Sequence, residues 1–484
     1  MMRFFVSVFV FVFVFIVLLL QLVPPSNAAI SSQVVETLPG FPGKLPFKLE
    51  TGYVGVGDSD SVQLFYYFIE SERDPDEDPL VLWLTGGPGC SGFSGLVFEV
   101  GPLLFDYAKS SSGKVKVPVL KLNPYSWTKV SNMIFIDAPV GTGFSYATNS
   151  EAYVADDTSS ATQTNEFLRK WLSSHPRFLK HPLYISGDSY SGIIIPILVN
   201  KISDDNDAGI KPQLNLKGYS IGNPVTDETV DKNWRVPFAH RTGLISDKLY
   251  ESTKRDCHGE YMVVDPSNAA CLGDLEVVTE CIKMVLIPNI LEPNCAADLP
   301  KPTEWDQPEL LKWDPSIVKE ESLELVSTPE HSGPWCRFYN YVFSYIWASD
   351  ENVQATLHIR KGTKEEWSRC NRSLAYTKDV TCSVPYHKNL THKPYKVLIY
   401  SGDHDLAVPY VGTMAWVKSL NLTESSKWRP WHVQSQVAGY TMEFTQNNYS
   451  LTYATVKGAG HTAPEYNPIQ CLAMFSRWLA RSPL

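Results

Sequence analysis

The sequence has no surplus of positive charge: 42 Lys and Arg stand against 52 Asp and Glu, a formal net charge of −10 over 484 residues. No Lys/Arg cluster interleaved with aromatics occurs either. Nucleic-acid binders need such cations to displace phosphate counterions, so nucleic acid is excluded as a partner. Cys-x-x-Cys and His-x-x-x-His spacings are absent, and no metal or other cofactor is expected. No internal repeat is present, and beyond the N-terminus no apolar run is long enough to span a bilayer. What the chain has is length and 44% hydrophobic residues, enough for one large α/β domain or two or three smaller ones, and this excludes a disordered chain.

The N-terminus opens with Met1-Met2-Arg3, runs apolar from Phe4 to Val23 apart from Ser7 and a break at Gln21, and reaches small residues at Ser26-Asn27-Ala28-Ala29. That order reads as a secretory signal peptide over residues 1–28. The apolar stretch exceeds the usual core of about 7–15 residues, which leaves an uncleaved signal anchor as the alternative. After cleavage no stable membrane span is expected. Nine cysteines and sequons at Asn371, Asn389, Asn421 and Asn448 agree with a secreted glycoprotein, and the odd cysteine count leaves at least one thiol unpaired.

Residues 49–70, broken at Gly55-Val56-Gly57-Asp58, read as a hairpin. Leu80–Leu84, Met133–Ile136, Leu183–Ile185 and Val397–Tyr400 are short continuous apolar runs that end in Gly- or Asp-containing loops, as strands buried on both faces do. A helical pattern over 158–173 places Phe167, Leu168, Trp171 and Leu172 on one face, ahead of Pro176. Alternating strands and helices predict an α/β fold with a mainly parallel sheet. Residues 226–334, rich in Cys, Pro, Glu and Trp, read as an insertion over that sheet, with a loop-like stretch at 300–333 open to proteolytic nicking.

The chemistry sits at strand ends. Gly187-Asp188-Ser189-Tyr190-Ser191-Gly192 follows the third run, and small neighbours are what a serine at a sharp strand-to-helix elbow requires. A helix over 190–201, bent at Pro196, is predicted after it. The fourth run enters Ser401-Gly402-Asp403-His404-Asp405, and Ala454-Thr455-Val456 enters Gly458-Ala459-Gly460-His461. Nucleophile, acid and histidine in that order match α/β hydrolases. Ser189 is thus the expected nucleophile, His461 the base, and Asp403 the orienting acid; Asp405 is the rival, ranked second because Asp403 follows the strand more closely. Thr85-Gly86-Gly87-Pro88-Gly89-Cys90-Ser91-Gly92 offers unobstructed backbone N–H groups, and Gly87 with Tyr190 is the expected oxyanion hole. A phosphate-binding reading of this loop is set aside because it lacks a Gly-Lys-Ser/Thr ending.

Trp83-Leu84-Thr85-Gly86-Gly87-Pro88-Gly89-Cys90-Ser91, Gly187-Asp188-Ser189-Tyr190, Ser401-Gly402-Asp403 and Gly460-His461-Thr462-Ala463-Pro464 resemble the serine carboxypeptidase family, and more closely its plant serine carboxypeptidase-like branch. The resemblance runs from Leu38 to Trp478. It implies an α/β-hydrolase fold whose core is split into 30–225 and 335–484 around a cap at 226–334. The family's peptidases capture a C-terminal carboxylate through an asparagine, a glutamate before the nucleophile and a second glutamate; here those positions hold Thr85, Asp188 and Glu99, so two of three depart. Thr85, Gly86, Asp188 and Glu99 are the expected substrate-binding residues. A carboxyl at 188 beside Glu99 in a desolvated pocket would stay protonated in an acidic compartment and donate to substrate; the alternative is that Asp188 caps the elbow.

The two departures are typical of acyltransferase members, which pass an acyl group from a 1-O-β-acylglucose to an alcohol. The resemblance therefore implies an acyl-glucose donor and an alcohol acceptor in plant secondary metabolism, in the vacuole or outside the cell. A carboxypeptidase acting on peptide C-termini at acidic pH is the alternative. It also implies disulfides Cys90–Cys370, Cys257–Cys271 and Cys295–Cys336, leaving Cys281, Cys382 and Cys471 unassigned.

Overall fold

The apolar runs become the centre of one large sheet. The structure is a computed structural model, and it describes residues 30–110, 116–294, 337–364 and 366–484. The strands are β1 (Ile30–Thr37), β2 (Lys44–Val56), β3 (Val62–Ile69), β4 (Leu80–Leu84), β5 (Asn132–Ile136), β6 (Leu183–Asp188), β7 (Leu216–Gly222), β8 (Lys396–Gly402), β9 (Thr423–Val433), β10 (Gln436–Gln446) and β11 (Tyr449–Val456). Their spatial order is β1-β2-β3-β5-β4-β6-β7-β8-β11-β10-β9. The six from β5 to β11 pair in parallel, and antiparallel strands flank them on both sides. The expected hairpin is β2 with β3, in register from Leu49–Ile69 to Val56–Val62.

Period-two alternation sends successive residues to opposite faces, and here both faces are apolar. Leu80, Leu82, Ile134, Ile136, Val397 and Ile399 pack into one core layer; Val81, Trp83, Met133, Phe135, Leu398 and Tyr400 pack into the other. Helix α1 (Asp157–Ser174) covers the first layer with Phe167, Leu168, Trp171 and Leu172. Its start is fixed by a capping box in which the Asp156 carboxylate accepts from Ser159 N–H and Ser159 Oγ accepts from Asp156 N–H, satisfying two donors that a helix start leaves over. Helix α2 (Ser191–Asp207) follows the nucleophile and continues through Pro196. Proline cannot donate to the carbonyl four residues back, and Gly192 O instead accepts from buried Ser383 Oγ at 2.8 Å.

The described part of 226–334 supplies helices Glu228–Asn233, Arg235–Arg241, Asp247–Asp256 and Ala269–Ile282. The Cys257–Cys271 disulfide closes that region and Cys90–Cys370 ties the loop after β4 to the second half of the chain. Cys295, Cys336, the signal peptide at 1–28 and the 300–333 stretch lie outside the described residues. Cys281, Cys382 and Cys471 are unpaired. Asn389, Asn421 and Asn448 are exposed, and Asn371 is half-buried. Among the described residues no helix is long and apolar enough to cross a membrane.

Candidate active site

Ser189 stands at the end of β6 with φ of 55°, a left-handed conformation that costs an L-residue energy and survives only where its surroundings hold it. They do: Ser189 N–H donates to Gly222 O at 2.9 Å and Ser189 O accepts from Val225 N–H at 2.9 Å. The glycines flanking the elbow are there for close approach. A Cβ at 187 would stand 2.2 Å from Leu84 O and one at 192 would stand 2.4 Å from Val225 O, distances no side chain tolerates.

Three distant side chains meet at this elbow. His461 Nε2 lies 2.7 Å from Ser189 Oγ, and His461 Nδ1 lies 2.7 Å from Asp405 Oδ2. The orienting acid is therefore Asp405, which corrects the expectation of Asp403. Nearness to the strand was the wrong criterion, because the chain needs two more residues to turn over the sheet end and aim a carboxylate at the histidine loop. Asp403 instead ties that turn together: its Oδ1 accepts from Gly458 N–H at 2.7 Å and sits 2.6 Å from His404 Nδ1. Asp405 is fully buried. Its second oxygen accepts from Ala407 N–H at 2.7 Å, while Asn223 Nδ2 donates to Oδ2 at 2.8 Å. Asn223 also accepts from Gly402 N–H at 3.0 Å. Sequence reasoning missed this residue, although an Asn-Pro pair directly after β7 marks a constrained strand-end turn of the kind that carries sites in such sheets.

Burial opposes a charge on His461, but the Asp405 carboxylate beside it and Asp188 further off outweigh that cost, and its pKa is raised above the ordinary 6.5. The 226–334 stretch helps to hold the base: His461 N–H donates to Pro288 O at 2.7 Å, and Leu406 N–H donates to Ile287 O at 3.0 Å.

The loop after β4 lies directly on the elbow, since a Cβ on Gly86 would be 2.6 Å from Ser189 Cβ and 2.9 Å from Tyr190 N. Among the described residues, the backbone N–H groups of Gly87 and Tyr190 have no acceptor. Two idle donors beside an activated serine are what an oxyanion hole presents. The spacing Gly87, Gly89, Gly92 does match the glycine pattern of a dinucleotide loop formally. Here, however, the first N–H of the helical segment that follows, Gly92–Ser94 running on into a π turn over Gly95–Glu99, is taken by Asp137 at 2.9 Å, and Cys370 is bonded to the loop, so no free helix N-terminus faces a phosphate.

Asp188 and Glu99 are both buried, at 3% and 4% exposure. Burial pushes the Asp188 carboxyl up to about 6, against the pull of His461, Gly86 N–H and Arg369. Burial together with Asp188 and Glu465 raises Glu99 well above the usual carboxylate range, with Arg369 opposing. Asp188 Oδ1 accepts from Gly86 N–H at 3.1 Å, so part of this carboxyl braces the loop after β4, and no side chain caps the start of the helix that follows the elbow. Glu99 Oε2 has no hydrogen-bond partner. The half-buried Thr85 accepts from Trp83 Nε1 at 3.2 Å. Glu465, not singled out by the sequence, is the third acid of the pocket; its Oε2 accepts from Tyr341 OH at 2.7 Å and from Thr462 Oγ1 at 2.8 Å, and Arg337 lies 3.2 Å from its Oε1.

Comparison with known proteins agrees with this geometry. The family model described as serine carboxypeptidase matches residues 39–481. Serine carboxypeptidase-like 15 of Arabidopsis thaliana is 46% identical over 456 residues, covering 94% of this chain and 95% of that protein. Serine carboxypeptidase-like 19 of the same plant is also 46% identical, over 457 residues with the same shares. Among solved structures, a prohormone-processing carboxypeptidase from Saccharomyces cerevisiae shares the fold with a TM-score of 0.69 at 19% identity, covering 95% of this chain and 97% of the other.

Proposed function

The chain belongs to the serine carboxypeptidase family, and from that premise we propose that it is an acyltransferase working through an acyl-enzyme on Ser189. In the first half-reaction Ser189 Oγ attacks the carbonyl carbon of a 1-O-β-acylglucose, its proton passes to His461 Nε2, and Asp405 steadies the imidazolium. The carbonyl oxygen becomes an oxyanion held by Gly87 and Tyr190 N–H. Collapse of that intermediate breaks the bond to the glucose oxygen, which takes the proton from His461. An alcohol then enters and attacks the acyl carbonyl as its proton passes to the same nitrogen; collapse breaks the bond to Ser189 Oγ, which takes that proton back from His461, and the new ester leaves.

The observation that carries the reading is the relay from Asp405 through His461 to Ser189, with both steps at 2.7 Å. The preference for transfer rests on the peptide-capture positions. Thr85 has no amide and its hydroxyl oxygen is engaged by Trp83, and the short Asp188 spends one oxygen on Gly86 N–H, so capture of a peptide carboxylate is weakened. A second reading, a carboxypeptidase, is favoured by one feature: Asp188 and Glu99 still place two proton-retaining carboxyls in the pocket, able to donate to a carboxylate at acidic pH.

The deciding assay offers the glycoprotein a hydroxycinnamoyl- or galloyl-glucose with mixed alcohol acceptors, and separately a blocked dipeptide. Acylated alcohol is the expected product; trimmed dipeptide without acyl transfer would install the peptidase. Two disulfides place the chain in an oxidising, secretory compartment, and we assign it to the vacuole or the extracellular space.

A further inference from the structure

The oxyanion donors come from two separate elements, the loop after β4 and the start of α2, and a single strap from the far half of the chain is fastened to both. The strap is residues 369–383. At its start it grips the loop: Ser91 N–H donates to Arg369 O at 2.8 Å, Asn371 N–H donates to Gly89 O at 2.9 Å, and the Cys90–Cys370 disulfide lies between these bonds. Leu374 closes over the same loop, for a Cβ on Gly89 would stand 2.6 Å from Leu374 Cδ1.

At its middle the strap grips the elbow through Asp157, the first residue of α1. Asp157 Oδ1 accepts from Tyr190 OH and from Tyr376 OH, each at 2.8 Å, and Oδ2 accepts from Val380 N–H at 3.0 Å. Lys378 Nζ stands 5.2 Å from the Tyr190 ring centroid and pairs with Glu228 at 2.8 Å. Thus the Tyr190 side chain is held at its tip and on its face, while its backbone N–H is left to the substrate. At its end the strap completes α2 through Ser383 and Gly192 O.

A short polar side chain at 190 would leave that N–H equally placed in sequence but free to swing with the helix start. Hydrogen-bond donors stabilise an oxyanion only if they are aimed before the reaction begins. We propose that the strap sets the geometry of the oxyanion hole and that Asp157 is a positioning residue for acyl transfer, acting through the Tyr190 ring.

This inference needs the acyl-enzyme reading of Ser189 but neither the donor nor the acceptor assigned above, so its test uses a fluorophosphonate. Ser189 Oγ forms a bond to phosphorus, fluoride leaves, the serine proton goes to His461, and the phosphoryl oxygen occupies the oxyanion hole. Tyr190→Phe and Asp157→Asn, made in the full chain, are expected each to lower the maximal inactivation rate at least about tenfold, a fraction of the roughly 10²–10³ lost with a whole donor. The concentration for half-maximal rate and the pH midpoint set by His461 should stay unchanged, a pattern that general loosening would not give. The double variant should be no slower than the slower single one, because both break the same link. Unchanged maximal rates in Tyr190→Phe, or losses that multiply in the double variant, would overturn the proposal. Tyr190→Phe decides alone should Asp157→Asn fail to fold, since it leaves the carboxylate its other two donors. A wild-type protein that is inert to the probe while Ser189→Ala is equally inert would overturn the acyl-enzyme reading itself, and the positioning role with it.

Discussion

Replacing Asp405 by asparagine removes the charge that orients His461 and steadies its cation, at a cost on the order of 10⁴ in kcat by analogy with other Ser-His-Asp relays. Asp403→Asn should keep kcat within a few-fold and lose about 1–2 kcal/mol of stability, since it weakens only the turn bonded to Gly458 and His404. Comparing steady-state rates and urea unfolding of the two variants checks both statements. A pH profile adds a sign. The base must be neutral to take the serine proton, so kcat/KM falls as pH drops through the raised pKa of His461, and the acidic limb lies above 6.5. Asp188→Asn removes a carboxylate that favours the imidazolium, so the limb moves to lower pH. At this scale Ser189 and His461 were legible in the sequence because glycine-flanked residues at strand ends have few other uses. Asp405 was not, for Asp403 and Asp405 share one loop and only the path of the backbone over the sheet edge separates them.

The elements that carry these residues depend on contacts of very different range. The parallel strands were legible because burial on both faces writes an unbroken apolar run into the chain, as in β4 and β8. Helix α1 was legible from its 3.6-residue spacing, and Trp171→Ala, which empties a fully buried site on that face, should cost about 3–5 kcal/mol in denaturant unfolding. The strap had no such signature. It has no sustained period, and its holds reach far along the chain: 191 residues to Gly192, 219 and 223 to Asp157, and 280 across the disulfide beside Gly89. Ser383→Ala tests one of these holds: it leaves the Gly192 carbonyl, already deprived of a partner by Pro196, buried and unpaired, with an expected loss of about 1–3 kcal/mol.

Across the whole molecule, the 226–334 stretch, the acid loop and the histidine loop converge on one site, where burial makes Asp188 and Glu99 retain their protons unusually well. This separates the two candidate activities by pH. A peptide carboxylate would rely on protonated Asp188 and Glu99, so KM for a blocked dipeptide should climb as pH rises through about 6, whereas a neutral acyl-glucose should feel only the titration of His461. The measurement that bears most directly on the central claim is mass analysis of the protein quenched during turnover of an acyl-glucose. The account predicts one acyl group on the peptide containing Ser189, lost on adding alcohol and absent from Ser189→Ala. Acylated alcohol formed at full rate by Ser189→Ala, or an adduct on another residue, would contradict it.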